Sequence, residues 1–147
     1  MEKIIELSIN HLDNVTDMAM ALWPGHDFTE LKEEFSDHIN SDKSHVLLWL
    51  QEEEPIAFIY LSIRTDYVEG AISSPTGYVE GIYVKPNYRR KGISNKLFNE
   101  GKKWMLEKGC KQVGSDIEYD NTVSYDFHTG IGFKESGRLI TFIQDLD

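Results

Sequence analysis

The residues best suited to chemistry in this chain form one dense cationic cluster and a few separate acids. Arg89, Arg90 and Lys91 are consecutive and lead into Gly92, Ile93 and Ser94. From Gly92 to about Lys108 the apolar spacing is helical, so the cluster lies at a helix N-terminus. Unpaired backbone N–H groups, the positive end of the helix dipole and the side-chain cations converge there, and phosphate is the natural guest. Gly92 removes the Cβ that would block close approach. The same turn also fits a solvated strand-to-helix connection, and neither the Rossmann nor the Walker spacing is present.

Two carboxylates stand in segments that read as central strands. Glu80 lies in Tyr78–Val84, a β-forming run broken by Gly81, which permits a bulge and a bend. Asp116 lies in the run Gln112–Ile117. An unpaired carboxylate in a central strand is costly, so each requires a cationic partner or a chemical role. Glu80 can also be half of a structural ion pair with Arg64, and Asp116 can cap the loop before a helix that starts near Asn121. His128 is either a proton donor or a satisfied side chain on that helix. Trp23 and Tyr67 fit either a ligand wall or plain core. Cys110, the single cysteine, reads as ordinary packing, and no G-x-S-x-G elbow activates a serine. His11, His38 and His45 read as surface or packing residues, and no set of histidines has metal-ligand spacing, so no metal is expected.

The elements that position these groups follow from periodicity. Residues 3–8 read as a strand, and Asn10 as the cap of a helix carrying Leu12, Val15, Ala19 and Leu22 on one face. Trp23-Pro24-Gly25 ends it. A second helix covers about Thr29 to Asn40, followed by a strand over His45–Leu50. Glu52-Glu53-Glu54-Pro55 is a hairpin turn, Ile56–Val68 a long strand and residues 69–76 a polar loop. After the central strand and the cationic turn comes a helix closed near Gly109, then Gln112–Ile117, a helix over 122–130 and a last strand from Arg138 to Phe142 or beyond. This order predicts an α/β fold with a mixed sheet, in which one helix crosses over between two parallel strands.

With 147 residues, 40% hydrophobic and 27% charged, the chain has the size and apolar content of one domain spanning 1–147. A net charge of −10 repels polyanions, which argues against nucleic acid and favours a cationic partner. The apolar run Val46–Leu50 is far too short to span a bilayer, and the N-terminus has no signal-like core. A lone cysteine fits a reducing compartment. A soluble, cytoplasmic protein is expected, with no membrane partner.

The run from Arg89 to Ser94, after a strand ending in Val84, resembles the R/Q-x-x-G-x-G/A pyrophosphate loop of the GNAT superfamily of N-acetyltransferases, with Ser94 in the last position. Asn121, Ser124, Phe127, Gly132 and Phe133 resemble the superfamily's N-x-x-A-x-x-F-Y…G-F signature, with His128 where a tyrosine acid usually stands. Leu22-Trp23-Pro24-Gly25-His26, the stretch from Ser62 to Gly70, Glu80-Gly81-Ile82-Tyr83-Val84 and Ser115-Asp116 are together similar to the aminoglycoside 6′-N-acetyltransferases. The likeness implies the GNAT fold, a mostly antiparallel twisted sheet flanked by helices, and acetyl-coenzyme A as cosubstrate. Arg89, Arg90 and the N–H groups of Lys91, Gly92, Ile93 and Ser94 would hold its pyrophosphate. Ile82, Tyr83 and Val84 would pair with its pantetheine arm, and Asn121 would touch it. The substrate pocket carries over to Trp23, Tyr67, Glu80 and Asp116, with His26 beside it; Gly137 stands where an acidic residue often precedes the arginine of the last strand. A polycationic aminoglycoside would offer ammonium groups to the carboxylates and sugar faces to the aromatic rings.

The implied reaction is direct attack of the 6′-amine on the thioester in a ternary complex. Asp116 serves as base, Glu80 orients the substrate, a backbone N–H near Gly81 polarises the thioester carbonyl, and His128 or water returns a proton to the thiolate. The same fold acting on a protein amine or a small polyamine, or a non-catalytic acyl-coenzyme A binding module, are the alternatives. A homodimer is implied by the likeness and by the apolar last strand, Leu139 to Ile143, since such an edge is usually paired or covered.

Overall fold

The computed structural model describes residues 1–147. Its contacts divide the chain into a segment 1–115 and a segment 116–147, taken here in turn.

The first segment runs β1 (Glu2–Glu6), α1 (Leu12–Leu22), α2 (Phe28–His38), β2 (Ser44–Gln51), β3 (Glu54–Arg64), β4 (Thr76–Val84), α3 (Ile93–Glu107) and β5 (Val113–Ser115). The sheet has five strands in sequence order. β1, β2, β3 and β4 pair antiparallel, with α1 and α2 between β1 and β2, a tight turn between β2 and β3 and a loop over residues 65–75 between β3 and β4, whereas β4 and β5 pair parallel with α3 as the crossover, as the element order predicts. Glu52 and Glu53 make the β2–β3 turn, both in the left-handed region at φ 50° and 69°. Their charges are met at the β1 end: Glu53 by Lys3 at 3.2 Å, Glu52 by the N-terminal ammonium.

Alternation along β2 sorts its side chains onto two faces. Val46 and Leu48, with Phe58 of β3, pack against Val15, Met18 and Ala19 of α1 and Leu31 and Phe35 of α2. On the other face α3 lies across β2, β3 and β4 and buries Ile93, Leu97, Phe98 and Met105. Asp27 caps α2, its carboxylate accepting from the Glu30 N–H at 3.0 Å. Asn10 does not cap α1. A short 3-10 turn over Ile9–His11 leads directly into that helix, and no side chain caps it, because the turn's own backbone bonds replace the cap. β3 stops at Arg64 instead of Val68, and the run predicted over Gln112–Ile117 pairs only from Val113 to Ser115.

The second segment contains α4 (Thr122–Gly130), capped by Asn121, whose Oδ1 accepts from the Ser124 N–H at 3.1 Å. Glu135 ties the following chain to the helix, accepting from the Tyr125 hydroxyl and from Arg138 Nε and Nη2 at 3.0–3.1 Å. The strand predicted from Arg138 to Phe142 does not form: residues 133–147 have no regular structure, and Phe142 and Ile143 are 90% and 96% exposed. β-forming side chains alone do not make a strand; its N–H and C=O groups require a neighbouring ladder, and no strand of the sheet comes from this segment.

Candidate active site

The site is built around an irregularity in β4. Tyr60 of β3 faces Gly81, the next residue, Leu61, faces Val79, and Glu80 is the extra residue between them. This is the bulge that Gly81 predicts. It releases Glu80 from the ladder, and its carboxylate meets β3 side chains. Ser62 Oγ donates to Oε2 at 2.5 Å, Arg64 Nε to Oε2 at 3.1 Å, and Arg64 Nη2 to both oxygens at 2.9 Å. The Arg64 guanidinium lies 3.5 Å from the centroid of the Tyr78 ring. Ser62 and Arg64 are two residues apart on a strand and so share a face, a pattern visible in the sequence. The structural Arg64–Glu80 ion pair is therefore present, and partly buried.

Trp23, at the C-terminus of α1, approaches this bulge so closely that a Cβ on Gly81 would lie 2.6 Å from its Cζ2. Gly81 thus serves close approach as well as the bend. The ring is partly buried and packs 6.5 Å from Phe58. His26 stands 6.3 Å from Trp23 and donates from Nδ1 to the Trp23 carbonyl at 3.1 Å. Tyr67 is not core: it is 79% exposed on the β3–β4 loop and donates its hydroxyl to Glu69 at 2.5 Å, which pushes the phenol above its ordinary pKa. Behind Glu80, burial and then the charge of Glu80 raise the Tyr60 phenol far above its usual range. The neighbouring His38 is held below its usual value by burial, with Nδ1 on Ser44 Oγ at 2.8 Å and a buried Nε2 without a hydrogen-bond partner.

At the other end of β4 the chain passes a 3-10 turn over Pro86–Tyr88 into α3. Gly92 is the N-cap at φ 80°, with open space where its Cβ would be, and no side chain caps the helix. The first-turn N–H groups are thus left to an incoming acceptor. A pocket of about 180 Å³ beside them is lined in part by Tyr88, Lys91, Lys96 and Trp49. Arg89 is turned back instead: Nε donates to the Val84 carbonyl at 2.6 Å, and the guanidinium lies 5.3 Å from the Tyr83 centroid. Arg90 takes the left-handed conformation at φ 64°. β5 pairs with Gly77, Tyr78 and Val79 only, so residues 80–84 of β4, Ile82 and Tyr83 among them, run on past it. An extended ligand can add there as a strand would.

In the second segment, Asp116 is exposed just beyond β5 instead of inside a central strand, because the ladder ends at Ser115. Asn121 is engaged as the α4 cap. His128 Nδ1 donates to the Ser124 carbonyl at 2.7 Å, with the Phe127 and Phe133 rings edge-on at 5.4 and 5.1 Å. That bond sets the tautomer, so the neutral ring presents Nε2 as an acceptor. No group of three or more His, Cys, Asp or Glu side chains is placed to hold a metal ion.

A bulged antiparallel sheet whose parallel neighbour pairs over only three residues, beside a helix N-terminus with no side-chain cap, is the architecture of an acyl-coenzyme A-dependent transferase. The Acetyltransferase (GNAT) family matches residues 12–133, and this chain belongs to that family. Among its relatives is the aminoglycoside N(6′)-acetyltransferase type 1 of Salmonella typhimurium, 32% identical over 95% of this chain and 96% of the relative. The structure of AAC(6′)-Iy in complex with a bisubstrate analogue, CoA-S-monomethyl-acetylneamine, superposes with a TM-score of 0.92 at 30% identity over 99% of each chain. The aminoglycoside 6′-N-acetyltransferase AAC(6′)-Ih of Acinetobacter baumannii superposes at 0.91, with 31% identity over the whole of both chains.

Proposed function

We propose that this protein transfers the acetyl group of acetyl-coenzyme A to the 6′-amine of an aminoglycoside, which would confer resistance to the drug. The observation that carries this reading is the Trp23 ring on Gly81 beside the partly buried Glu80, an apolar face next to a carboxylate of the kind an aminosugar fits. Similarity to aminoglycoside 6′-N-acetyltransferases over nearly the whole chain supports it. Acetyl-coenzyme A is the donor; its pyrophosphate goes to the N–H groups and cations from Arg89 to Ser94, and its pantetheine arm to residues 82–84. Arg89 acts there mainly by tying the loop to β4, since its Nε is committed to Val84.

The reaction is direct. The substrate ammonium loses a proton to Asp116 or to water held by it, the uncharged nitrogen bonds the thioester carbon, the C–S bond breaks, and as the amide forms nitrogen sheds a second proton to solvent while the departing thiolate takes up one. His128 can supply that proton only from its doubly protonated form or through a shared water, because its Nδ1–H is occupied. Cys110 is a buried thiol whose pKa burial raises, which disfavours an acetyl-enzyme. Residues 1–147 act as one catalytic domain, a reading supported by a family match that crosses from one segment into the other. The protein works in the cytoplasm, in keeping with its single unpaired thiol, and as a homodimer. The test is acetylation of kanamycin or tobramycin against a lysine peptide and spermidine, followed as free thiol. Turnover with the drugs alone is expected; turnover with only the peptide or polyamine, or with none, overturns the reading.

A further inference from the structure

The Glu80 carboxylate is not a simple counter-ion for a polycation, because a cation already occupies it. Oε2 receives three donors, from Ser62 Oγ, Arg64 Nε and Arg64 Nη2, whereas Oε1 receives one, from Arg64 Nη2. Each carboxylate oxygen offers roughly two acceptor directions, so Oε2 is fully used, its Arg64 donors sharing a direction, and Oε1 is not. The remaining direction is on Oε1. The guanidinium is held toward this position by its place over the Tyr78 ring, which is only 8% exposed. Side-chain exposures of 36% for Arg64 and 22% for Glu80 leave the pair open to a ligand. Any substrate group that reaches Oε1 therefore meets a carboxylate whose charge is already compensated by a fixed cation beside it.

An ammonium gains little from such a pair, because the guanidinium repels it at nearly the same range. An uncharged donor keeps its hydrogen bond to Oε1 and incurs no repulsion. The attacking amine must be uncharged, so this discrimination favours the reactive form. Resting on the aminoglycoside reading, we propose that Arg64, assisted by Ser62, is a positioning residue that makes Glu80 a charge-compensated acceptor and selects the unprotonated amine of the bound acceptor. Other groups act on the same place. Tyr60 on β3 stays uncharged across neutral pH, while His38 on α2, with Glu34 and Asp37 around it, is the nearby group able to titrate. A His38→Asn background therefore accompanies each measurement.

The experiment is the pH profile of kcat for tobramycin in wild type, Arg64→Gln, Arg64→Lys, Ser62→Ala and Glu80→Gln, with thermal melts and the KM for acetyl-coenzyme A alongside. Arg64→Gln uncovers the carboxylate, holds the ammonium form, moves the acid limb up by about one pH unit and lowers kcat near neutrality about tenfold. Arg64→Lys returns the limb toward wild type. Ser62→Ala lowers kcat a few-fold without moving the limb. Glu80→Gln leaves the guanidinium uncompensated and shifts the limb down, the opposite sign, and it decides the matter if Arg64→Gln does not fold. The KM for acetyl-coenzyme A stays within about twofold throughout. A limb that stays in place in Glu80→Gln and in any folded Arg64→Gln, or one that moves the same way in both, overturns the role of Arg64 while leaving an active wild type as it was. A wild type inactive on every aminoglycoside overturns the functional reading, and this inference with it.

Discussion

Glu80 reaches the site because β4 carries one more residue than β3 opposite it, and Gly81 tolerates both the bulge and the Trp23 ring. A methyl group at 81 would overlap that ring at 2.6 Å, and the ring is tethered through α1. Gly81→Ala is therefore expected to displace Trp23, destabilise the fold by about 1–3 kcal/mol and raise the aminoglycoside KM more than that for acetyl-coenzyme A. Equal KM changes for both substrates would contradict this placement. Asp116 is exposed and adjacent to the end of a parallel strand, a position that suits proton exchange with solvent. Asp116→Asn should lower kcat by roughly ten- to ten-thousandfold with acetyl-coenzyme A binding intact. Turnover at the wild-type rate would take Asp116 out of the mechanism.

At the level of elements, the proposed donor end depends on the start of α3 being left without a side-chain cap. Its N-cap is a glycine in the left-handed region, which any L side chain adopts only with strain. Arg89 holds the preceding turn to Val84, and Arg90 sits at φ 64° within it. Replacing both arginines by alanine removes the tie and two cations, and acetyl-coenzyme A should bind about 1–3 kcal/mol more weakly. Titration calorimetry checks this, and an unchanged affinity would mean that the backbone N–H groups alone hold the anion. The β5 strand matters by being short. Because its ladder ends at Val79 and Ser115, β4 goes on paired with β3 alone, its other edge open where the donor's arm is expected.

For the whole molecule, the C-terminal stretch is the unfinished part. Leu139, Ile140, Phe142 and Ile143 are each at least 80% exposed, and a contiguous apolar run of β-formers left open is a template for pairing with a second copy. The protein should sediment as a dimer at micromolar concentration, and Ile140→Asp with Phe142→Asp should yield monomer; a wild type that is monomeric there refutes the assembly. Stability should also depend on pH through two histidines. Burial holds His38 and His45 below the usual 6.5, so the unfolded chain binds more protons than the folded one as pH falls through that value. The melting temperature should therefore drop between about pH 7 and pH 5, the contribution being fully present above 6.5. A His38→Gln, His45→Gln variant should show a shallower drop, and an equally steep one would assign the effect to other groups.

Local order was legible in the sequence wherever the signal was itself local. Helical spacing located α1, α2 and α3, the glycine in Tyr78–Val84 foretold the bulge, and the turn through the cations to Gly92 marked the start of α3. These features depend on neighbours within a few residues, so the pattern and the physics coincide. What only the tertiary structure decided were the partnerships between distant positions. Sequence could offer Arg64 as a partner for Glu80 but could not choose it over a bound cation. The choice follows from a register in which Ser62 and Arg64 share the face onto which the bulge turns Glu80. Trp23 lies on Gly81 only because α1 packs on that face of the sheet. For the same reason Arg138–Phe142, rich in β-formers, makes no strand, and Asp116 falls outside one. A strand exists only through hydrogen bonds to another strand, and the residues that would supply them lie far along the chain or on another molecule.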